Sequence, residues 1–141
     1  MQIGVDTAHA VDQRRVFIIE PDEITRAALQ FMLQDEIEAH EMAVPEAAYE
    51  TGQNWRKPDL VLLSADLVAE RGPGLIGELT SAFPGLRVLV VHDKQSEAPA
   101  LAALQAGAHG ALAKPLTIET VRQKVDTVLG RGGAPLIQLS L

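Results

Sequence analysis

The chain has 141 residues, with 12 Lys and Arg against 19 Asp and Glu, and so a formal charge of −7. Hydrophobic residues make up 47%, which excludes a wholly disordered chain, and the length allows one hydrophobic core. The absence of Cys excludes a disulfide scaffold. Because the charge is acidic and no apolar run reaches the roughly 20 residues of a membrane span, we expect a cytoplasmic domain that binds neither nucleic acid nor membrane.

Five β-rich segments alternate with five segments that have apolar residues at helical spacing. Three of the strands are unbroken apolar runs, typical of strands buried on both faces of a parallel sheet. In chain order the sequence predicts strand 15–20, helix 22–35, a weaker strand 37–43, helix 45–51, strand 59–64, helix 74–83, strand 87–92, helix 99–108, strand 110–114 and helix 117–129. This alternation predicts right-handed crossovers and a doubly wound α/β sandwich, whose functional residues lie at the carboxyl ends of the strands.

The two ends of the chain fall outside this pattern. We expect an N-terminal extension over residues 1–13, a domain over 14–130 and a C-terminal tail over 131–141. The glycine-rich Gly130–Pro135 at the junction of domain and tail is typical of a linker. Its last six residues, Leu136–Leu141, alternate well enough to pair with a sheet edge or a partner, and a frayed tail is the alternative.

Several segments occur in an order that resembles a known family. The stretch Leu104–Gly110 contains Ala-Gly-Ala-His-Gly and leads to Lys114-Pro115, and the apolar runs Pro58–Leu63 and Val16–Ile19 precede it. From about residue 14 to 130 the chain resembles the receiver domains of two-component response regulators. The resemblance implies a flavodoxin-like (βα)5 three-layer α/β sandwich with a parallel sheet of order 2-1-3-4-5.

The resemblance also implies where the family's phosphoryl-transfer residues fall. Receivers transfer a phosphoryl group to an aspartate with the help of a divalent cation and neighbouring carboxylates. Here the acceptor position falls on Ser64, and a neutral hydroxyl cannot form an acyl phosphate. The acidic pair falls on Glu20 and Pro21, with Asp22 one residue late, so that one carboxylate is lost.

Two further family positions depart from the pattern. The hydroxyl position falls on His92, and the aromatic switch position falls on Ala111, which has no ring to rotate. Lys114 is retained. Asp66 lies two residues past the acceptor position. We therefore predict a degenerate phosphorylation pocket without catalytic residues.

We predict a non-enzymatic pseudo-receiver that acts in signal transduction by phosphorylation-independent binding of a protein partner. One alternative is a phosphorelay regulator that uses Asp66 or Ser64 as a non-standard acceptor, and another is the regulatory domain of a transcriptional response regulator. Glu20, Asp22 and Asp66 are weak metal candidates. Because Ser64 removes the central ligand, we expect no Mg²⁺ and no other cofactor.

Four residues of the degenerate pocket also have a structural interpretation. We expect Ser64 to cap a strand end and Asp66 to be a loop acid. His92 would fill the vacated space and hydrogen-bond Ser64. Lys114 would form an ion pair with Glu20 or another acid.

A partner-binding face is implied by the family, which commonly uses its fourth helix, fifth strand and fifth helix. Here this face maps to about Pro99–Gly130. The candidate contact residues are Leu101, Gln105, His109, Ala111 and Arg122, and the same face is a candidate for homodimer contacts.

Two motif matches are rejected on their context. Gly72–Gly77 reads G-x-G-x-x-G but does not follow the first strand, so we expect a loop before the third helix instead of a dinucleotide site. Ser64, His92 and Asp93 lack the G-x-S-x-G nucleophile elbow, which argues against acyl transfer.

Overall fold

The computed structural model describes residues 12–130, and within them the five predicted strands form one parallel sheet. In chain order the elements are β1 (Asp12–Ile19), α1 (Glu23–Leu33), β2 (Ile37–Met42), α2 (Pro45–Asn54), β3 (Leu60–Ser64), α3 (Ala65–Arg71), α4 (Gly74–Ala82), β4 (Arg87–His92), α5 (Glu97–Gln105), β5 (Gly110–Ala113) and α6 (Ile118–Leu129). A 3₁₀ turn, Lys94–Ser96, precedes α5. The strand order is β2-β1-β3-β4-β5, as predicted.

Helices cover both faces of the sheet. On one face α1 and α6 pack through residues such as Leu29 and Val121. On the other face α2, α3, α4 and α5 pack through residues such as Ala48, Leu67 and Ala103. The central strands are buried on both sides, which explains their unbroken apolar runs and confirms the predicted three-layer α/β sandwich.

The prediction of a loop between β3 and the third predicted helix is wrong, because the extra helix α3 occupies this segment. Leu67 and Val68 are each 2% exposed, so that α3 gains a buried apolar face although it is short. The helix ends at Gly72, whose φ of 90° is a conformation that favours glycine. Gly72 therefore separates two helices instead of shaping an open loop.

The buried face of α1 is one of two that the helical spacing of its apolar residues allows. Ile24 and Phe31 lie on one of them, and these side chains are 81% and 67% exposed. Leu29 and Leu33, the alternative apolar stripe, are buried instead, since they face the sheet between β1 and β2. The sequence contains two overlapping apolar stripes, and only packing against the sheet decides between them.

The predicted end segments are only partly tested. Residues 1–11, which are most of the predicted N-terminal extension, and residues 131–141, which are the predicted tail, lie outside the described residues. Within 12–130, β1 begins at Asp12, two residues before the predicted domain start. No helix of this described range is long and apolar enough to span a membrane.

Gly52 allows α2 to pack closely against the end of α4. A Cβ atom at Gly52 would overlap the ring of Phe83, which is 1% exposed. The helix position therefore requires glycine for close packing, although glycine within a helix costs about 0.5–1 kcal/mol relative to alanine.

We expect Gly52→Ala to lower the free energy of unfolding by about 1–3 kcal/mol, because the new methyl group overpacks the core. Gly77→Ala in α4 is the matched control: a Cβ there meets no atom within 4 Å, so this change should be neutral or stabilising. Urea unfolding followed by circular dichroism measures both, and equal stability of the two variants would contradict the expectation.

Candidate functional site

Ser64 stands where β3 ends and α3 begins, and it is 3% exposed. Its hydroxyl oxygen accepts a hydrogen bond from the backbone N–H of Asp66 at 3.2 Å and so caps α3. Ser64 therefore has a capping role, as predicted, but it caps the start of a helix instead of the end of a strand. Asp66 is exposed in the first turn of α3 and is not a loop acid, and its negative charge suits the N-terminus of a helix.

Glu20 follows β1 and is 2% exposed. Its Oε2 accepts a hydrogen bond from the N–H of Asp22 at 3.0 Å, whereas Oε1 has no hydrogen-bond partner among the described residues. Burial raises the pKa of Glu20. The hydrogen bond from Asp22, the positive charge of Lys114 and the Ser64 hydroxyl oppose this rise. The buried position of Glu20 therefore disfavours the charged form of its carboxyl group.

The predicted ion pair between Lys114 and Glu20 is wrong. Lys114 Nζ lies 3.3 Å from Thr25 Oγ1 and donates to it, and no carboxylate of residues 12–130 lies within 4.0 Å of the ammonium. Asp22 Oδ2 caps α1 by accepting from the N–H of Thr25 at 2.8 Å. Hydrogen bonds from Thr25 lower the pKa of Asp22, and the charges of Lys114 and Arg26 lower it further. The peptide bond Lys114–Pro115 is cis.

His92 ends β4 and is half-buried. Its Nδ1 lies 3.1 Å from the carbonyl oxygen of Asp93, so the predicted hydrogen bond to Ser64 is not formed. Asp93 Oδ1 accepts from the N–H and the hydroxyl of Ser96, each at 3.0 Å, and these bonds lower the pKa of Asp93. The end of β4 is therefore organised by a capping box at the start of the 3₁₀ turn.

The weak metal candidates Glu20, Asp22 and Asp66 do not form a ligand cluster. Between residues 12 and 130 no group of three or more His, Asp or Glu side chains is placed to hold a metal ion. Two of the three acids are already engaged in local hydrogen bonds to backbone N–H groups. The expectation that no Mg²⁺ is bound stays a prediction.

The residues of the predicted partner face lie in different environments. On α5, Leu101 is 57% exposed, and Gln105 is exposed at the end of the helix. His109 Nδ1 accepts from the N–H of Val88 at 3.0 Å, and Ala111 is half-buried in β5.

Arg122 is not placed with the residues of α5. Its Nε donates to the carbonyl oxygen of Met32 at 2.9 Å, and Nη1 lies 3.4 Å from a carboxylate oxygen of Glu36. Arg122 therefore connects α6 with α1. Leu104, which was not among the candidates, is 38% exposed beside Leu101. We call Leu101, Leu104 and Gln105 the α5 surface.

Two features of the site were not predicted. Thr25, the acceptor for Lys114, is 89 positions away in sequence, and no local pattern indicates the contact. Ser96 is 6% exposed and is bonded to Asp93. Its spacing of three residues from an aspartate is a capping signal that could have been recognised.

We expect Glu20→Gln to raise the free energy of unfolding at neutral pH, because the wild type must bury a charge there. A carboxyl group whose pKa is raised in the folded state contributes stability that is present below the unfolded value of 4.5 and lost as the pH rises through the folded pKa. The variant should therefore match the wild type below pH 4.5 and exceed it by a margin that grows until the pH has passed the folded pKa and is constant above it. Urea titrations at several pH values test this, and a variant that is less stable at neutral pH would contradict it.

Comparison with known proteins identifies a family for most of the chain. The model of the response regulator receiver domain matches residues 16–126. The virulence transcriptional regulatory protein PhoP of Salmonella typhimurium is 29% identical over 119 residues, which cover 83% of this chain and 52% of PhoP. The chain thus spans about half the length of the curated relatives it matches.

Solved structures show the same fold. A response regulator from Thermotoga maritima has a TM-score of 0.72 at 21% identity, over 84% of this chain and 99% of that chain. Chemotaxis protein CheY4 of Vibrio cholerae has a TM-score of 0.70 at 20% identity, over 83% of this chain and 99% of that chain. With its sheet order and the match over residues 16–126, the chain belongs to the response regulator receiver domains of two-component signalling.

Proposed function

We propose that this receiver domain is a pseudo-receiver, which keeps the receiver fold and signals by binding a protein partner without being phosphorylated. The observation that carries the proposal is Ser64, which stands after β3 at the position that resembles the phosphoacceptor. An acyl phosphate forms on a carboxylate, and Ser64 provides only a neutral hydroxyl. That hydroxyl is 3% exposed and caps α3.

The residues around Ser64 support the same proposal. Pro21 carries no charge, and Glu20 is a buried carboxyl group with a raised pKa. A divalent cation requires several oxygen ligands, preferably charged ones, in one place. Without such a site, phosphoryl transfer would lack the cation that neutralises developing negative charge.

The α5 surface is the proposed contact with the partner. Leu101 and Leu104 expose 57% and 38% of their area, and removing such side chains from water favours association. Ala111 on the adjacent strand has no ring to change rotamer. We therefore propose that this surface is held in one state and that partner abundance, not phosphorylation, controls its occupancy.

A phosphorelay role with a non-standard acceptor is the second candidate. Asp66 favours it, since this carboxylate is exposed in the first turn of α3. Ser64 is a poorer acceptor for a kinase because its hydroxyl is nearly inaccessible.

A role as the regulatory domain of a transcriptional regulator is the third candidate. It rests on the similarity to PhoP, a transcriptional regulatory protein of which this chain matches 52%.

We expect the wild type to form no stoichiometric phosphoryl adduct with acetyl phosphate and Mg²⁺, as judged by intact-protein mass spectrometry. The double variant Pro21→Asp, Ser64→Asp restores two carboxylates and should acquire a Mg²⁺-dependent adduct. The variant Asp66→Asn is measured in parallel. A wild-type adduct that disappears in this variant would favour the phosphorelay role instead.

We expect the double variant Leu101→Arg, Leu104→Arg to reduce capture of a protein partner from source-cell extract by about tenfold or more, because it places charge in the contact. Ile24→Arg on α1 is the control, since Ile24 is 81% exposed and lies on another helix. Quantitative mass spectrometry of pull-downs measures the loss. Equal capture by both variants would contradict a role for the α5 surface, and light scattering of the same variants tests a homodimer there.

A further inference from the structure

An exposed tryptophan lies at the end of α2, next to two basic residues. Trp55 caps the C-terminus of this helix and is 53% exposed, and the following Arg56 and Lys57 are exposed as well. The three consecutive residues occupy roughly 7 Å of backbone, so their side chains leave the chain close together. We call these three residues the Trp55 surface.

The indole ring of Trp55 is held in place by two neighbours. The guanidinium carbon of Arg15 lies 4.9 Å from the ring centroid, and the ring of His40 on β2 packs edge-to-face with a centroid distance of 4.8 Å. Arg15 is itself fixed, because Glu38 accepts hydrogen bonds from its Nε at 2.7 Å and its Nη2 at 3.0 Å. A side chain that is already ordered loses little conformational entropy when a partner covers its exposed part. Trp55 is therefore preorganised, and tryptophan is among the residues that contribute most to protein interfaces.

The polar groups of the Trp55 surface are all hydrogen-bond donors. An indole N–H, a guanidinium and an ammonium group donate hydrogen bonds and accept none. Among residues 12–130, none of these three side chains has a hydrogen-bond or ion-pair partner. A ligand that matches them supplies acceptors and negative charge, as the carboxylates of Asp and Glu side chains do.

Two acids near the Trp55 surface are already engaged. Glu38 accepts from Arg15 and lies 2.7 Å from His40 Nε2, and the hydrogen bonds from these two side chains lower its pKa to about 2. Asp59 Oδ2 accepts a hydrogen bond from the backbone N–H of Arg15 at 2.7 Å. Neither carboxylate pairs with the two cations of the Trp55 surface, which are thus available to a ligand.

The distribution of charge favours a short acidic ligand over an extended polyanion. The chain carries −7 in total, which repels a nucleic acid or an anionic membrane surface. Charges more than about 8 Å away are largely screened at physiological ionic strength, so a short ligand responds mainly to the local cations. The exposed part of the indole ring suits an apolar side chain beside the acids. A peptide with interspersed acidic and apolar residues combines these properties.

We propose that the Trp55 surface docks a short acidic peptide segment of a protein partner. Its carboxylates contact Arg56 and Lys57, and one of its apolar side chains packs on the exposed part of the Trp55 ring. This surface is separate from the α5 surface, since Trp55 contacts β2 at one end of the sheet and α5 joins β4 to β5 at the other. The proposal therefore does not depend on the pseudo-receiver role.

Fluorescence of the full chain tests the proposal, because Trp55 is its single tryptophan. The probe is a capped hexapeptide of four Asp and two Leu, and the control peptide has Lys in place of each Asp. We expect the acidic peptide to shift the emission saturably to shorter wavelength, as an apolar side chain covers the ring. The Kd of the basic peptide should be weaker by about tenfold or more, because its charges repel the two cations.

Charge reversal on the protein gives the complementary test. Arg56→Glu with Lys57→Glu should weaken binding of the acidic peptide by about tenfold or more. Lys94→Glu with Lys124→Glu is the matched control, since both lysines are exposed on other elements and the change in total charge is the same. We expect the Kd of this control to stay within about twofold of the wild type, because distant charges are screened.

Either of two results would overturn the proposal. One is an emission spectrum that the acidic peptide leaves unchanged, or that it changes equally in the wild type and in the Arg56, Lys57 variant. The other is a larger saturable change with phosphatidylglycerol vesicles or with a single-stranded oligonucleotide at equal concentration of negative charge, which would assign the surface to a polyanion.

Discussion

Burial of the central strands on both faces is the constraint on which the structure depends. Residues 16–19 of β1 and 60–63 of β3 are fully buried, and each large apolar side chain contributes about 1.5–3 kcal/mol. A parallel sheet of this kind brings the carboxyl ends of its strands to one edge. Glu20, Ser64 and His92 therefore lie at that edge. The apolar core of the sheet is formed by other residues.

At that edge, polar side chains are used for backbone capping. Asp22 caps α1, Ser64 caps α3, and Asp93 caps the 3₁₀ turn before α5. Each such cap contributes about 1 kcal/mol. In residues 12–130, no ion pair joins Lys114 to these acids. Hydrogen bonds from backbone N–H groups to these side chains thus fix where three helical segments begin. The Ser64 hydroxyl oxygen is used as one of the acceptors.

The fold was predictable because its signal is local, and the parts that were missed depend on distant contacts. Short β-rich segments predicted all five strands, three of them as unbroken apolar runs, and the resemblance implied their order. Lys114 contacts Thr25 across 89 positions, and Arg122 contacts Met32 across 90, so their orientation follows from packing alone. The helix α3 was missed because its buried face consists of few residues, while the adjacent Gly72-Pro73-Gly74 favours a loop.

A conformational switch requires a ligand that interacts differently with two states, and its effect cannot exceed that difference in free energy. A phosphoryl group on an aspartate would provide such an interaction through its charge. Ser64 offers no carboxylate to carry it, and Ala111 has no ring whose rotamer could report it. If the domain is a pseudo-receiver as proposed, the free energy that drives signalling must come from binding of the partner itself. Occupancy of the α5 surface would therefore follow the partner's concentration and affinity, not the phosphorylation state of this domain.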